Sequence, residues 1–193
     1  MKLIISDVFL AIYQYLGFGV VFGLLFMIAL PSLEEKGPLN LLKNFFVKAR
    51  HNKNVLSQFL FAVYLFMILS KTLICRDLWA VPWSNVIGEW WLYTKTGELN
   101  VEGMENLALF IPLVTLYYGA FSEKYQGYKF TKLVGHSVKV TFLFSLGIEC
   151  CQLFGRLGTF QLSDIAQNTV GGLIGGCIYW LIGKCLNVRC RGQ

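Results

Sequence analysis

The chain has 193 residues, of which 55% are hydrophobic and only 15% are charged, and its mean hydropathy is +0.56. Soluble domains carry about 25% charged residues. A chain with so few charged residues does not supply the polar surface that a folded protein needs in water. The composition therefore excludes a soluble globular domain, a disordered chain and a disulfide-stapled secreted module. The net charge of +6 comes from short basic segments between apolar stretches, so we expect no nucleic-acid partner.

Five apolar stretches are long enough to cross a membrane as helices, which takes about 20 mostly apolar residues. They cover residues 8–30, 55–75, 104–121, 134–154 and 165–183. We therefore predict an all-α fold, a polytopic membrane helix bundle with about five transmembrane helices. The prediction treats residues 1–193 as a single integral membrane domain.

The orientation of these spans is predicted from the positions of Lys and Arg, which favour cytoplasmic loops. Eleven basic residues lie in segments 31–54, 122–133 and 184–193, on one side of the predicted membrane. Five lie on the other side: Lys2, Lys71, Arg76, Lys95 and Arg156. The bias predicts a multi-pass protein of the bacterial cell membrane with its N-terminus outside and its C-terminus in the cytoplasm.

Two segments between the spans have apolar residues at helical spacing, which predicts helices that lie in the membrane interface. One is the basic segment 40–54. The other contains Trp79, Trp83, Ile87, Trp90 and Trp91. This second segment is either an aromatic belt that anchors a half-embedded helix or an apolar surface for a lipid or other amphiphile.

Polar residues gather at one end of the last three predicted spans, which the predicted orientation places at the outer leaflet. Because ionisable groups at membrane depth are costly, they indicate a functional site. Ser145, Glu149, Gln152 and Arg156 follow one another at spacings of four, three and four and so share one helix face. The predicted ligand-binding residues are these four together with Asn106, Asp164 and Asn168. Glu149 is the expected central group, with Arg156 as its counter-ion or as an anion-binding group.

Other interpretations of these residues stay open. A carboxylate and a cation in a helix bundle also form purely structural networks, and Ser163 or Asp164 also suits a helix N-cap. Glu149 and Asp164 are the candidates for a catalytic acid and base, if the two side chains meet. The six cysteines and two histidines show no zinc-binding spacing, so we expect neither a metal nor another cofactor.

The last span carries four glycines at small-xxx-small spacing: Gly171, Gly172, Gly175 and Gly176. Gly19 and Gly23 form a shorter pair of the same kind in the first span. Glycines at this spacing let membrane helices approach closely. The last helix is therefore expected to lie centrally in the bundle or to form the face of a homo-oligomer.

Three sequence strings resemble elements of the VanZ-like family, in the same order and at similar separations. They are ENLALFIP at 105–112, SLGIECCQL at 145–153 and SDIAQNTVGGLIG at 163–175. The resemblance covers about residues 70–183. Upstream, Arg76 is followed by DLWAVPW, which resembles a family element of an arginine followed by N-L-x-P-F. Pro82 and Trp83 fit this element, and its asparagine is absent here.

The resemblance implies a small integral membrane protein. The founding member of the family confers resistance to the lipoglycopeptide teicoplanin without remodelling the peptidoglycan target. Membrane lipids are expected partners, together with the antibiotic or a lipid-linked cell-wall precursor. We therefore expect non-enzymatic resistance, in which the protein binds the drug or a lipid or cell-wall component that the drug exploits. The alternative is a membrane enzyme that modifies a lipid or cell-wall headgroup with Glu149 and Asp164.

Overall fold

The computed structural model describes residues 2–29, 47, 53–74, 76, 78–90, 93 and 100–191, and it confirms the all-α fold. Helix α1 is Lys2–Ala29, and α2 is Lys53–Leu69, which continues as a π-helical turn, Ser70–Ile74. Helix α3 is Val101–Ala120, α4 is the single turn Ser122–Tyr125, α5 is Phe130–Gly155 and α6 is Leu162–Arg191. Within the described residues, each of the five predicted spans thus falls largely on a helix.

Within the described residues, three helical stretches are long and apolar enough to cross a membrane by length and composition. They are Asn54–Ile74, Phe130–Gly155 and Leu162–Cys185, and they coincide with three of the predicted spans. The first predicted span falls on α1, in which Tyr13–Ile28 forms a shorter apolar stretch. The span predicted over 104–121 falls on α3, which contains Pro112.

The second predicted interfacial helix does not form over the described residues 78–90, which adopt turns and bends. The physical reason is that Pro82 has no backbone N–H and that Gly88 has a positive φ of 69°. Backbone groups of this segment pair instead with the residues around the start of α6. Most of the interfacial helix predicted over 40–54, and Trp91, lie outside the described residues.

The helices divide into two compact units. The first unit comprises Met1–Ser70 and Leu116–Gln126, and the second comprises Lys71–Thr115 and Gly127–Gln193. In the first unit, α1 packs on α2 along its two glycines: a Cβ at Gly23 would lie 2.8 Å from Val63 Cγ2. The predicted small-residue face of the first span is therefore a close helix contact within this unit.

In the second unit, the glycines of α6 face two helices at once. A Cβ at Gly171 or Gly175 would collide with the backbone carbonyls of Leu107 or Ile111 in α3. On the adjacent face, a Cβ at Gly172 or Gly176 would collide with the hydroxyls of Thr141 or Ser137 in α5. The four glycines therefore place α6 against α3 and α5 in the same chain.

We predict that Gly171→Ala destabilises the protein, whereas Gly183→Ala on the same helix does not. The new methyl group at position 171 collides with the backbone carbonyl of Leu107, so the backbone must shift, and such overpacking costs about 1–3 kcal/mol. A Cβ at Gly183 meets nothing within 4 Å, and alanine is the better helix former. Thermal unfolding of both purified variants in detergent measures the difference, and equal unfolding midpoints would contradict the packing described here.

Candidate functional site

The polar face predicted on the fourth span lies inside the second unit. Ser145, Glu149 and Gln152 of α5 are exposed by only 0%, 2% and 3% of their surface. Buried polar groups are costly unless they are hydrogen-bonded, so each of these side chains requires a partner. The partners come from three different parts of the second unit.

Ser145 is joined to α6. Asn168 Nδ2 donates a hydrogen bond of 2.8 Å to Ser145 Oγ, and both residues are buried. The other amide atom, Asn168 Oδ1, is buried and accepts no hydrogen bond from a described residue. The structure thus brings together two of the predicted site residues and leaves one buried acceptor between the helices.

Glu149 holds the connection between α5 and α6. Its Oε2 accepts a hydrogen bond of 2.8 Å from the backbone N–H of Gln161. The chain returns to Glu149 because Arg156, at the end of α5, adopts a left-handed conformation with φ 54°. The N–H of Leu157 then bonds to the carbonyl of Gln152 at 2.8 Å, which closes the helix end.

Gln152 reaches the π-helical turn that follows α2. Its Nε2 donates a hydrogen bond of 2.9 Å to the carbonyl of Thr72. The last carbonyls of a helix lack partners within the helix, so this amide satisfies one of them. Beside this contact, Lys71 Nζ and Glu105 Oε2 form an ion pair of 2.8 Å that joins the same turn to α3.

The charge of Arg76 attracts both buried carboxylates, Glu149 and Asp164, whereas the charge of Glu102 repels both. Arg156, the counter-ion expected for Glu149, is exposed at the end of α5. Arg76 is therefore a cation that acts on Glu149, and the role expected of Arg156 stays a prediction. The sequence signal for Arg76 was its match to the upstream family element.

Asp164 lies in the first turn of α6 and is 8% exposed. The hydroxyl of Ser163 donates a long hydrogen bond of 3.4 Å to its Oδ1. Asn106 Nδ2 in α3 is buried and donates no hydrogen bond to a described residue. Glu149 and Asp164 repel each other electrostatically. No hydrogen bond between the two carboxyl groups occurs among the described residues.

A cavity of about 250 Å³ opens beside Asp164, at the N-terminal ends of α3 and α6. Its lining is almost entirely polar and consists of Asn85, Glu89, Asn100, Glu102, Gly103, Gln161, Ser163, Asp164 and Gln167. Of the predicted site residues, only Asp164 lines it. The other six, including Glu149, do not.

The segment before α3 supplies part of this lining because three hydrogen bonds fix it in place. The carbonyl of Glu89 accepts hydrogen bonds from Asn100 Nδ2 at 3.2 Å and Gln167 Nε2 at 2.9 Å. The N–H of Leu162 bonds to the carbonyl of Val86 at 2.9 Å. Sequence reasoning missed Asn85, Glu89 and Asn100 because their place at the cavity depends on these long-range bonds.

No group of three His, Cys, Asp or Glu side chains in the described part of the chain is arranged to hold a metal ion. The arrangement instead offers hydrogen-bond acceptors, carboxylates and amides around a small cavity. Such a lining suits the binding of a polar group.

Comparison with known proteins gives a family and a relative. The sequence model of the VanZ/LLP1 family matches residues 10–183. Protein VanZ of Enterococcus faecium is 30% identical over 99 residues, which are 50% of this chain and 55% of that protein. The match therefore spans about half the length of this relative. No solved structure matches the chain.

The family match covers most of the chain, including every residue of the site described above. It agrees with the resemblance found in the three sequence strings. Since three helices are also long and apolar enough to cross a membrane, the chain is a bacterial membrane protein. It belongs to the VanZ/LLP1 family.

Proposed function

We propose that this protein confers resistance to teicoplanin-type lipoglycopeptide antibiotics from within the membrane. It acts at the outer leaflet through the polar site around Glu149, by binding the drug or a lipid or cell-wall component that the drug exploits. The observation that carries the proposal is the buried polar site of Ser145, Glu149, Asp164 and Asn168, which lies towards one end of two membrane-length helices. The similarity to protein VanZ supports it.

The location of the site supports action at the membrane surface. The C-terminal end of α5 and the N-terminal ends of α3 and α6 all contribute to it. When a helix spans a membrane, its ends lie near the lipid headgroups. The positive-inside rule places these ends outside, where a lipoglycopeptide and lipid-linked precursors are within reach.

The geometry favours binding over acid–base catalysis. A general acid and base must both reach the reacting group within hydrogen-bond distance. Asp164 lines the cavity, but Glu149 does not, and its carboxylate is already bonded to the N–H of Gln161. We therefore assign Glu149 to holding the site together and Asp164 to contact with a ligand.

We expect expression of this protein in a sensitive Gram-positive host to raise the inhibitory concentration of teicoplanin but not that of vancomycin. The physical reason is the lipid tail of teicoplanin, which anchors the drug at the outer leaflet beside the proposed site. Susceptibility testing of matched strains measures this selectivity. Equal protection against both drugs, or none with the protein inserted, would contradict the proposal.

We predict that Glu149→Gln loses most of this protection while the protein still inserts into the membrane. The substitution keeps an oxygen that accepts from Gln161 but removes the charge that Arg76 attracts. Cys151→Ser, on the exposed side of the same helix, serves as the matched control and retains protection. Full protection by Glu149→Gln at equal membrane abundance would argue against a charged Glu149 in the site.

The proposed topology has five spans with the N-terminus outside, and fusion reporters test it. We expect green fluorescent protein fused to the C-terminus to fluoresce, because it folds in the cytoplasm, and alkaline phosphatase there to be inactive. A phosphatase fused after residue 90 should be active, since that position is predicted to be external. The opposite pair of results would reverse the orientation and move the site to the cytoplasmic leaflet.

A further inference from the structure

Helices α5 and α6 run antiparallel and meet along one row of residues spaced four apart. The successive pairs of this row, each four residues back along α5 and four residues on along α6, are Ser145 with Asn168, Thr141 with Gly172 and Ser137 with Gly176. Rows of this spacing are the ridges along which packed helices interdigitate. Continued by two more steps, the row pairs Lys129 with Lys184.

An aromatic contact shows that the two helices stay together as far as this end. The rings of Phe130, the first residue of α5, and Trp180 have centroids 5.0 Å apart. Lys184 Nζ lies 5.1 Å from the centroid of the same Trp180 ring. Lys129 directly precedes Phe130 as the N-cap residue of α5. Two ammonium groups are therefore brought to the same end of the helix pair.

These two positive charges have no carboxylate near them on either helix. Both lysine side chains are exposed, and neither forms an ion pair with a described residue. The only carboxylates in α5 and α6 are Glu149 and Asp164, which lie about 30 Å from this end at about 1.5 Å per residue. Charges more than about 8–10 Å apart are largely screened in salt solution. An anion bound between Lys129 and Lys184 would therefore relieve a repulsion that the two helices leave uncompensated.

The position of the two lysines indicates the source of such an anion. Phe130 begins one of the membrane-length stretches, and Cys185 ends the other. The ends of membrane helices lie near the lipid headgroups, and aromatic rings are typical of that depth. Phe130 is 41% exposed and so offers an apolar surface beside the charges. Because basic pockets between membrane helices bind anionic headgroups, the phosphate of a lipid is the anion that this end favours.

We propose that Lys129 and Lys184 together bind the phosphate of an anionic membrane phospholipid, whose acyl chains lie against Phe130 and Trp180. Each ammonium group donates charge-assisted hydrogen bonds to the phosphate oxygens. The bound phosphate holds the two helix ends together where their own charges repel. This lipid site lies at the opposite end of α5 from Glu149, and so it is separate from the function proposed above.

The test measures lipid binding to the full-length protein in a neutral detergent by native mass spectrometry. Phosphatidylglycerol and phosphatidylcholine with the same acyl chains serve as the probes. The first has a net negative charge, whereas the phosphate of the second is neutralised by its own quaternary ammonium. We expect phosphatidylglycerol to bind at least about tenfold more tightly, because two lysines act on its uncompensated charge.

Two double variants then assign the preference to the lysine pair. We expect Lys129→Gln, Lys184→Gln to lose at least about tenfold in affinity for phosphatidylglycerol. The matched control Lys132→Gln, Lys139→Gln removes the same charge from exposed positions outside the row and should leave the affinity unchanged. Thermal unfolding without lipid checks that both variants fold. If the first does not, the single variant Lys184→Gln is compared with Lys139→Gln and is expected to lose about fivefold.

Equal affinity for phosphatidylglycerol and phosphatidylcholine would overturn the anionic lipid site. Equal losses in the two double variants would overturn it as well, because diffuse attraction to a basic surface would then account for the binding. Displacement of the lipid by free glycerol phosphate at equal concentration would overturn the lipid in favour of a soluble phosphate. Since no antibiotic is present, these outcomes are separate from loss of resistance in Glu149→Gln, which tests the proposed function.

Discussion

The close contact between α5 and α6 is the interaction on which the second unit depends, because every buried polar group of the site lies on or beside it. In the N-terminal half of α5, the side chains of Thr141 and Ser137 pack directly against Gly172 and Gly176 of α6. Those hydroxyls donate to carbonyls of their own helix, Ser137 Oγ to Leu133 at 2.9 Å and Thr141 Oγ1 to Ser137 at 2.8 Å. Both hydroxyls thus bond within α5, and dispersion between closely packed atoms stabilises this part of the contact.

The contact becomes more polar towards the end that carries the cavity. Along α5, the hydroxyls that face glycines are followed by Ser145, which accepts a hydrogen bond from Asn168. One helical turn later, the Glu149 carboxylate accepts a hydrogen bond from the N–H of Gln161. A charge buried in a protein is costly unless hydrogen bonds and opposite charges compensate it. Here the N–H of Gln161 and the charge of Arg76 offset part of that cost. The close packing at Ser137 and Thr141 thus stabilises a helix pair that also buries the polar side chains of Ser145 and Glu149, whose burial is costly.

The parts predictable from sequence are those that depend on local spacing. Helical periodicity alone places Ser145, Glu149 and Gln152 on one face of α5, and the glycine spacing alone indicates a close helix contact. The cavity was not predictable in this way. Glu89 reaches it because Asn100 and Gln167 bind its backbone carbonyl. Spacing along the chain carries no information about such bonds.

The segment around Trp83 shows the limit of periodicity most clearly. Its apolar residues recur at intervals that suit a helix. The backbone of the segment instead forms hydrogen bonds with the connection between α5 and α6. The N–H of Trp79 bonds to the carbonyl of Arg156, and the N–H of Phe160 bonds to that of Pro82. Because these partners lie more than seventy residues away in sequence, tertiary hydrogen bonds override the local pattern.

Glu149 does not line the cavity, but its side chain holds a residue that does. Its carboxylate fixes the N–H of Gln161, and Gln161 lines the cavity two residues before Ser163. Arg76 lies on the same connection, since a Cβ at Gly158 would be 3.3 Å from its Nη1. We therefore regard Glu149 and Arg76 as positioning residues, which determine the shape of a cavity that other carboxylates line.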